Sequence, residues 1–200
     1  MKIRAALTKS EELARTFDRE VNGLEFPATD RARLSAALLD QAHEHHKAIL
    51  ELIGSELIGS AFSLTRALFE TSIRGAWLYR CASEEQVEHF KTDPKDLTSL
   101  GNMITAVETL YGTEGGFLSR VKKDYWSSLS SYAHGGYLQA VRRLTPETIA
   151  ASYSEEEQLE VISFADFCYY FSAIEIFSLS GREDLAQSWS ANYSRSIAEE

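Results

Sequence analysis

Apolar residues recur at helical spacing along almost the whole chain, and no segment alternates with the period of two that marks a half-buried strand. The pattern predicts a first helix from near Ser10 to Asn22 and Gly23, with Leu13, Phe17 and Val21 on one side. Phe26 and Pro27 form a connection. Thr29 or Asp30 then caps a helix to about Ile53. Gly54 and Ser55 read as a break, Gly as C-cap and Ser as the next N-cap, inside a tandem ELIGS-ELIGS at 51–60 that no longer repeat supports. A third helix is expected over about 56–81, where the small Gly59, Ser60 and Ser63 would allow close approach to a neighbour.

Ser83 caps a short helix over 84–91, and Asp93-Pro94 ends it and opens another to about Tyr111. A glycine-rich loop spans Gly112 to Gly116. A helix over 117–133 follows, stopped by Gly135-Gly136, then a shorter one over 137–144 before Thr145 and Pro146. Ser154 and Glu157 form a capping box for a helix carrying Val161, Phe164, Phe167, Tyr170, Phe171, Ile174 and Phe177 to near Gly181. A final amphipathic helix uses Leu185, Trp189 and Ile197. The expectation is one all-α domain over 1–200, a bundle of about six to eight helices. Those at 56–81 and 155–180, apolar all round, lie at its centre. So much apolar helix surface also points to a homodimer.

The third helix holds the most informative irregularity. Between Leu57 and Tyr79 the only charges are Arg66, Glu70 and Arg74. Spaced four apart, they stack within an arc of about 80°. Ile73 and Trp77 fall in or beside that arc, and Phe62 and Phe69 border it, so the charges project from an apolar face. Buried charges are costly unless paired. One account is a structural ionic ladder, Glu70 between two arginines, with Asp166 or Glu175 neutralising the remaining charge. The other is an anion or phosphate pocket in which Arg66 and Arg74 form the fork and Glu70 orients them.

His134 is the second candidate. No charge occurs from Tyr125 to Val141, and the two glycines after the histidine place it in the last turn of a helix. There it either caps carbonyls or acts as a general acid–base. Asp40, His43 and His46, with His45 between, share a helix face at metal-ligand spacing. Without a second such motif they read as surface histidines, and no metal or cofactor is expected.

Composition narrows the classes. Hydrophobic residues make up 44% and charged residues 25%, as in a globular protein. A net charge of −10 argues against non-specific DNA binding, which needs clustered basic residues. Cys81 and Cys168, far apart in apolar segments, read as buried thiols of a reducing compartment. The N-terminal stretch lacks the apolar core of a signal peptide, and no uncharged stretch reaches bilayer length with favourable hydropathy; a cytoplasmic protein without a membrane partner is expected. Walker, dinucleotide and nucleophile-elbow motifs are absent, and Ser119 with Lys122 lacks the companion motifs of penicillin-recognising enzymes.

Glu44-His45-His46, then Arg66, Glu70, Arg74-Gly75 and Trp77, then His134-Gly135-Gly136 together resemble an uncharacterised bacterial family of about this length, a domain of unknown function. The likeness covers most of residues 35–145. More broadly the chain resembles HEPN helical domains of bacterial toxins and defence ribonucleases. Those place an arginine four to six residues before a histidine, usually across a dimer. Here the nearest upstream arginine is Arg120, so the cation would have to come from Arg66 or Arg74 on another helix. The resemblance implies a phosphate- or RNA-binding pocket, with Arg66 and Arg74 holding the anion, His134 transferring a proton and Glu70 orienting the arginines. The rival expectation is a dimerisation or protein-interaction module whose ladder is structural.

Overall fold

The computed structural model describes residues 2–92, 98–146 and 148–198. It is an all-α bundle. Its helices are α1 (Lys2–Val21), α2 (Asp30–Gly54), α3 (Ile58–Arg80), α4 (Glu84–Thr92), α5 (Leu100–Tyr111), α6 (117–133), α7 (Tyr137–Val141), α8 (Glu155–Leu179) and α9 (Glu183–Ala198). Within α6 a π-helical turn, Val121–Tyr125, separates Phe117–Arg120 from Trp126–Ala133. Among the described residues the sole β feature is one antiparallel bridge between Leu144 and Ile149.

Local chemistry sets most helix ends. Thr29 accepts a hydrogen bond from the Ala32 N–H at the start of α2. Ser83 and Gln86 cap α4 reciprocally, and the Ser154–Glu157 capping box opens α8 as expected. Besides α5, which starts only at Leu100 with Ser99 as its cap, and α7, which ends at Val141 instead of 144, two boundaries differ from expectation. First, α1 begins at Lys2 and Ser10 is not a cap: the residue is 1% exposed, and its hydroxyl donates to Asp166 on α8. Second, Ser55 closes α2 instead of opening α3. The left-handed residue of this turn is Glu56, at φ 61°, and Leu57 starts α3 with no side-chain cap. The Asp93-Pro94 break and the side chain of Ile197 lie outside the described residues.

The core forms around α3, which packs on α2, α5, α6 and α8. Leu68, Phe69, Ile73, Ala76 and Leu78 of α3 are fully buried. Close approach to a neighbouring helix occurs at Gly75. A Cβ on Gly75 would lie 2.7 Å from the Leu39 side chain, and the Gly75 carbonyl accepts a 2.7 Å bond from Ser35. A second apolar cluster joins α1, α8 and α9 through Phe17, Tyr169, Phe177 and Trp189. By length and composition α8 could cross a membrane, at a mean hydropathy of 1.3, but over half of that window is buried against other helices.

Candidate functional site

The α3 charges form one continuous ladder. Arg66 Nε donates to Glu70 Oε1 at 2.7 Å, and Arg74 Nη2 lies 2.9 Å from Glu70 Oε2. Both carboxylate oxygens are thus engaged by arginines one helical turn away on either side. The ladder is half-buried rather than sealed: the side chains of Arg66, Glu70 and Arg74 are 23%, 16% and 40% exposed. It lies at the border between the apolar core and the surface.

The opposing wall is the second half of α6. Arg66 Nη1 donates to Ser130 Oγ at 3.1 Å and to His134 Nε2 at 2.8 Å. Ser130 in turn donates to the Trp126 carbonyl. The Arg66 guanidinium carbon stands 4.4 Å from the Trp126 ring centroid, and Lys122 Nζ stands 3.6 Å from it. Two cations therefore share one indole, a favourable cation–π arrangement that also sets them close together. Burial first, then the Arg66 charge, pushes the Lys122 ammonium below its ordinary range, with Glu70 opposing. Three cations, Arg66, Arg74 and Lys122, face a single carboxylate.

Sequence chemistry explains why His134 sits there. It is the C-cap residue of α6, its N–H bonded to the Ser130 carbonyl at 3.0 Å. Gly135 turns the chain with φ 63°, a conformation glycine adopts without strain. Gly136 then runs so close to α6 that a Cβ would lie 2.6 Å from Ser131 Oγ. The two glycines bend the chain immediately after the histidine and leave its ring exposed. In its bond to Arg66, Nε2 is the acceptor, so the neutral ring carries its proton on Nδ1. The C-terminal carbonyls of α6 also make this end electronegative, which suits a neighbouring guanidinium.

The site continues along α3 toward its N-terminus. Ser63 donates to the Tyr132 carbonyl at 3.0 Å, and Gln139 Nε2 donates to the Gly59 carbonyl at 3.1 Å and to Ser63 Oγ at 3.2 Å. Arg142 does not join the ladder; it pairs with Glu157.

All four residues singled out in the sequence, Arg66, Glu70, Arg74 and His134, therefore meet in one place. Trp126, Ser130 and Lys122 were not expected at this site. Their signal was present: Lys122, Trp126, Ser130 and His134 are spaced four apart, a second ladder facing the first.

Two other expectations are corrected. Asp166 and Glu175 do not neutralise the ladder. Asp166 bonds His46 Nε2 and Ser10 Oγ, both at 2.7 Å. Glu175, 1% exposed, is bonded by Tyr111 and by Arg80 Nε, the latter at 2.9 Å. Burial raises its carboxyl pKa, and the Arg80 charge opposes this. Nor are His43 and His46 surface residues: they are 3% and 0% exposed. They fill two positions of the buried stripe Leu39, Ala42, His43, His46, Ile49, Leu50, Ile53, while Asp40 is exposed and apart from them. His43 stacks on Tyr169 with ring centroids 4.0 Å apart, and its Nε2 lies 3.3 Å from the Tyr169 carbonyl. Among the described residues no three His, Cys, Asp or Glu side chains are grouped as a metal site.

No curated protein and no solved structure matches the chain. A sequence profile does match, over residues 39–196, a span that holds the ladder, the His134 turn and the buried histidines. The chain belongs to the family of unknown function DUF6988.

Proposed function

We propose that the Arg66–His134 site binds the phosphates of RNA and that the protein is a cytoplasmic, HEPN-like ribonuclease of a defence or toxin system. The observation that carries this reading is the 2.8 Å bond between Arg66 Nη1 and an exposed His134 Nε2. A hydrogen bond in water contributes little to stability, so a ring held there by an arginine is oriented rather than needed for folding. Arg74, the most exposed cation of the ladder, and Lys122 supply positive charge without a full set of partners. Glu70 and Trp126 fix the directions of both arginines and of Lys122. In the reaction the Arg66 Nη1 donor passes from His134 Nε2 to the phosphate, and the freed Nε2 accepts the proton of a ribose 2′-hydroxyl. The 2′-oxygen attacks the adjacent phosphorus, and the 5′-oxygen leaves with a proton from water. Arg66 and Arg74 stabilise the charge gathering on the phosphoryl oxygens. The product end is a 2′,3′-cyclic phosphate.

Single-stranded RNA binding by fluorescence anisotropy, followed by product analysis, tests this. Arg74→Ala and Lys122→Ala each weaken binding about five- to tenfold at low salt and flatten the salt dependence by roughly one counterion. His134→Ala retains binding and loses cleavage. Absence of RNA binding sinks the reading; binding with equal cleavage by His134→Ala removes the histidine's role.

A second reading rests on a different observation. Tyr137, Leu144 and Ile149, on α7 and the bridge that follows it, are 79%, 59% and 75% exposed. Apolar side chains so placed suit an interface, and the reading is a homodimeric interaction module with a structural ladder. Sedimentation equilibrium decides it: a dimer that Ile149→Lys dissociates supports the module, and a monomeric parent protein rules it out.

A further inference from the structure

Lys122, Trp126, Ser130 and His134 follow one another at one-turn intervals along the wall of α6 that faces the α3 ladder. Arg66 lies across the middle of this row. Its guanidinium carbon stands 4.4 Å from the Trp126 centroid, and its Nη1 bonds Ser130 Oγ and His134 Nε2. Lys122 reaches the same ring from the other end of the row, with Nζ 3.6 Å from the centroid. Imidazole and ammonium thus flank the guanidinium along the helix.

Two features set Lys122 apart from an ordinary surface lysine. The first is its place in the π turn Val121–Tyr125, whose wider winding redirects the side chain relative to a continuous α-helix. Such turns recur at functional sites. The second is its surroundings. Lys123, the next residue, is exposed, whereas Lys122 is half-buried. Both Glu70 oxygens are engaged by Arg66 and Arg74, and among the described residues no carboxylate lies within ion-pairing distance of Lys122. Burial, and then the Arg66 charge, hold the ammonium below its ordinary pKa, with Glu70 opposing. An ammonium so placed gives up a proton more readily than a solvated one.

In phosphoryl transfer the attacking and leaving oxygens stand on opposite sides of phosphorus. With a phosphate on Arg66 and the 2′-hydroxyl turned to His134, the 5′-oxygen is directed toward Trp126 and Lys122. We propose that Lys122 is the general acid of this site, passing a proton from its ammonium to the departing 5′-oxygen of RNA. The proposal rests on the ribonuclease reading of the Arg66–His134 pair. As the 2′-oxygen bonds to phosphorus, the electron pair of the phosphorus–5′-oxygen bond goes to that oxygen, which takes the proton from Nζ. Lys122 is left as a neutral amine and His134 as an imidazolium. Water then returns a proton to the amine and removes one from the ring, so water remains the ultimate source of the proton.

Cleavage of a single-stranded RNA by the full chain, and of the same RNA with sulfur in place of the 5′-oxygen at the main cleavage position, tests the proposal. A thiolate departs without a proton, so an acid is needed only for the oxygen linkage. At saturating substrate, Lys122→Ala lowers kcat on the oxygen linkage by about 100-fold or more and stays within about threefold of the parent on the sulfur linkage. Lys122→Arg keeps the positive charge but does not release its proton, and it shows the same selective loss. Lys123→Ala, at the exposed neighbour, matches the parent on both linkages. His134→Ala loses both, because each needs a base at the 2′-hydroxyl. Equal losses by Lys122→Ala on the two linkages overturn the proposal and leave the ribonuclease reading standing. So does full activity of Lys122→Arg on the oxygen linkage. No cleavage of RNA by the parent protein sinks that reading, and the role of Lys122 with it.

Discussion

Two histidines make hydrogen bonds of nearly equal length to charged partners, His134 to Arg66 at 2.8 Å and His46 to Asp166 at 2.7 Å. Their surroundings are opposite. His134 is exposed at a helix end, beside glycines, in a cluster dominated by cations. His46 is fully buried in mid-helix and its partner is a carboxylate. Distance alone does not say what such a bond is for; burial does. A buried polar group that loses its partner bears the whole desolvation penalty, whereas an exposed one exchanges it for water. The buried pair is therefore expected to govern stability, and the exposed pair to govern what the surface can bind.

Acid should reveal the buried region most strongly. Next to His46 on α2, His43 has its pKa lowered to about 3, chiefly by burial, then by the His46 and Lys47 charges, against a raising bond to the Tyr169 carbonyl. The unfolded chain protonates this ring near pH 6.5. Between about 6.5 and 3 the unfolded state therefore binds the extra proton, and stability falls on acidification across that window. The slope from this residue reaches about 1.4 kcal/mol per pH unit, for a total on the order of 5 kcal/mol. Glu175 works in the opposite sense. Its folded pKa is raised above the unfolded value, so its contribution is present at low pH and is lost as pH climbs through the folded value. Denaturant unfolding from pH 7 to pH 4 checks the balance. In His43→Phe, whose ring fits among Phe17 and Tyr169, the acid slope is shallower than in the parent. Equal slopes in the two proteins refute the assignment to His43.

The next largest effect is His46→Ala. It opens a cavity in the α2 core stripe and removes one of the two bonds that hold Asp166. The expected loss is about 3 kcal/mol, several degrees in Tm for a domain of this size. Glu70→Gln comes third. It leaves two arginines without their shared counter-charge, but Glu70 and Arg66 are partly exposed, so the cost is about 1–2 kcal/mol. A Glu70→Gln melting point that falls further than that of His46→Ala would reverse the ranking of the two regions.

What the sequence disclosed follows the same division. The ladder was legible because a charge inside a long apolar helix is conspicuous, and the glycines after His134 marked it as a helix end. The buried histidines were missed because histidine is polar by type. Their positions, in step with Leu39, Ala42, Ile49, Leu50 and Ile53, carried the information, and periodicity weighs position above residue character. The destinations of Asp166 and Glu175 were not legible at all. Both lie on α8, apolar on every side, and only the packing of α1, α2, α3 and α5 around it decides which neighbour each one meets. The early start of α1 was hidden for a related reason: Ser10 resembles a cap until a partner on α8 accounts for its hydroxyl.

The smallest stability effect is the most informative about function. Arg74 is 40% exposed and its one ladder partner is Glu70, so Arg74→Ala should cost no more than about 1 kcal/mol. His134→Ala removes a ring that is exposed and follows the last residue of α6, and its cost is expected within about 0.5 kcal/mol of zero. Arg66 keeps Ser130, Glu70 and the Trp126 face when the imidazole is gone, so nothing buried is left without a partner. If His134→Ala melts with the parent protein while losing RNA cleavage, the imidazole is held for chemistry. A fall of several degrees would instead mean that the Arg66–His134 bond clamps α3 to the end of α6. The two histidines would then differ in exposure but not in role.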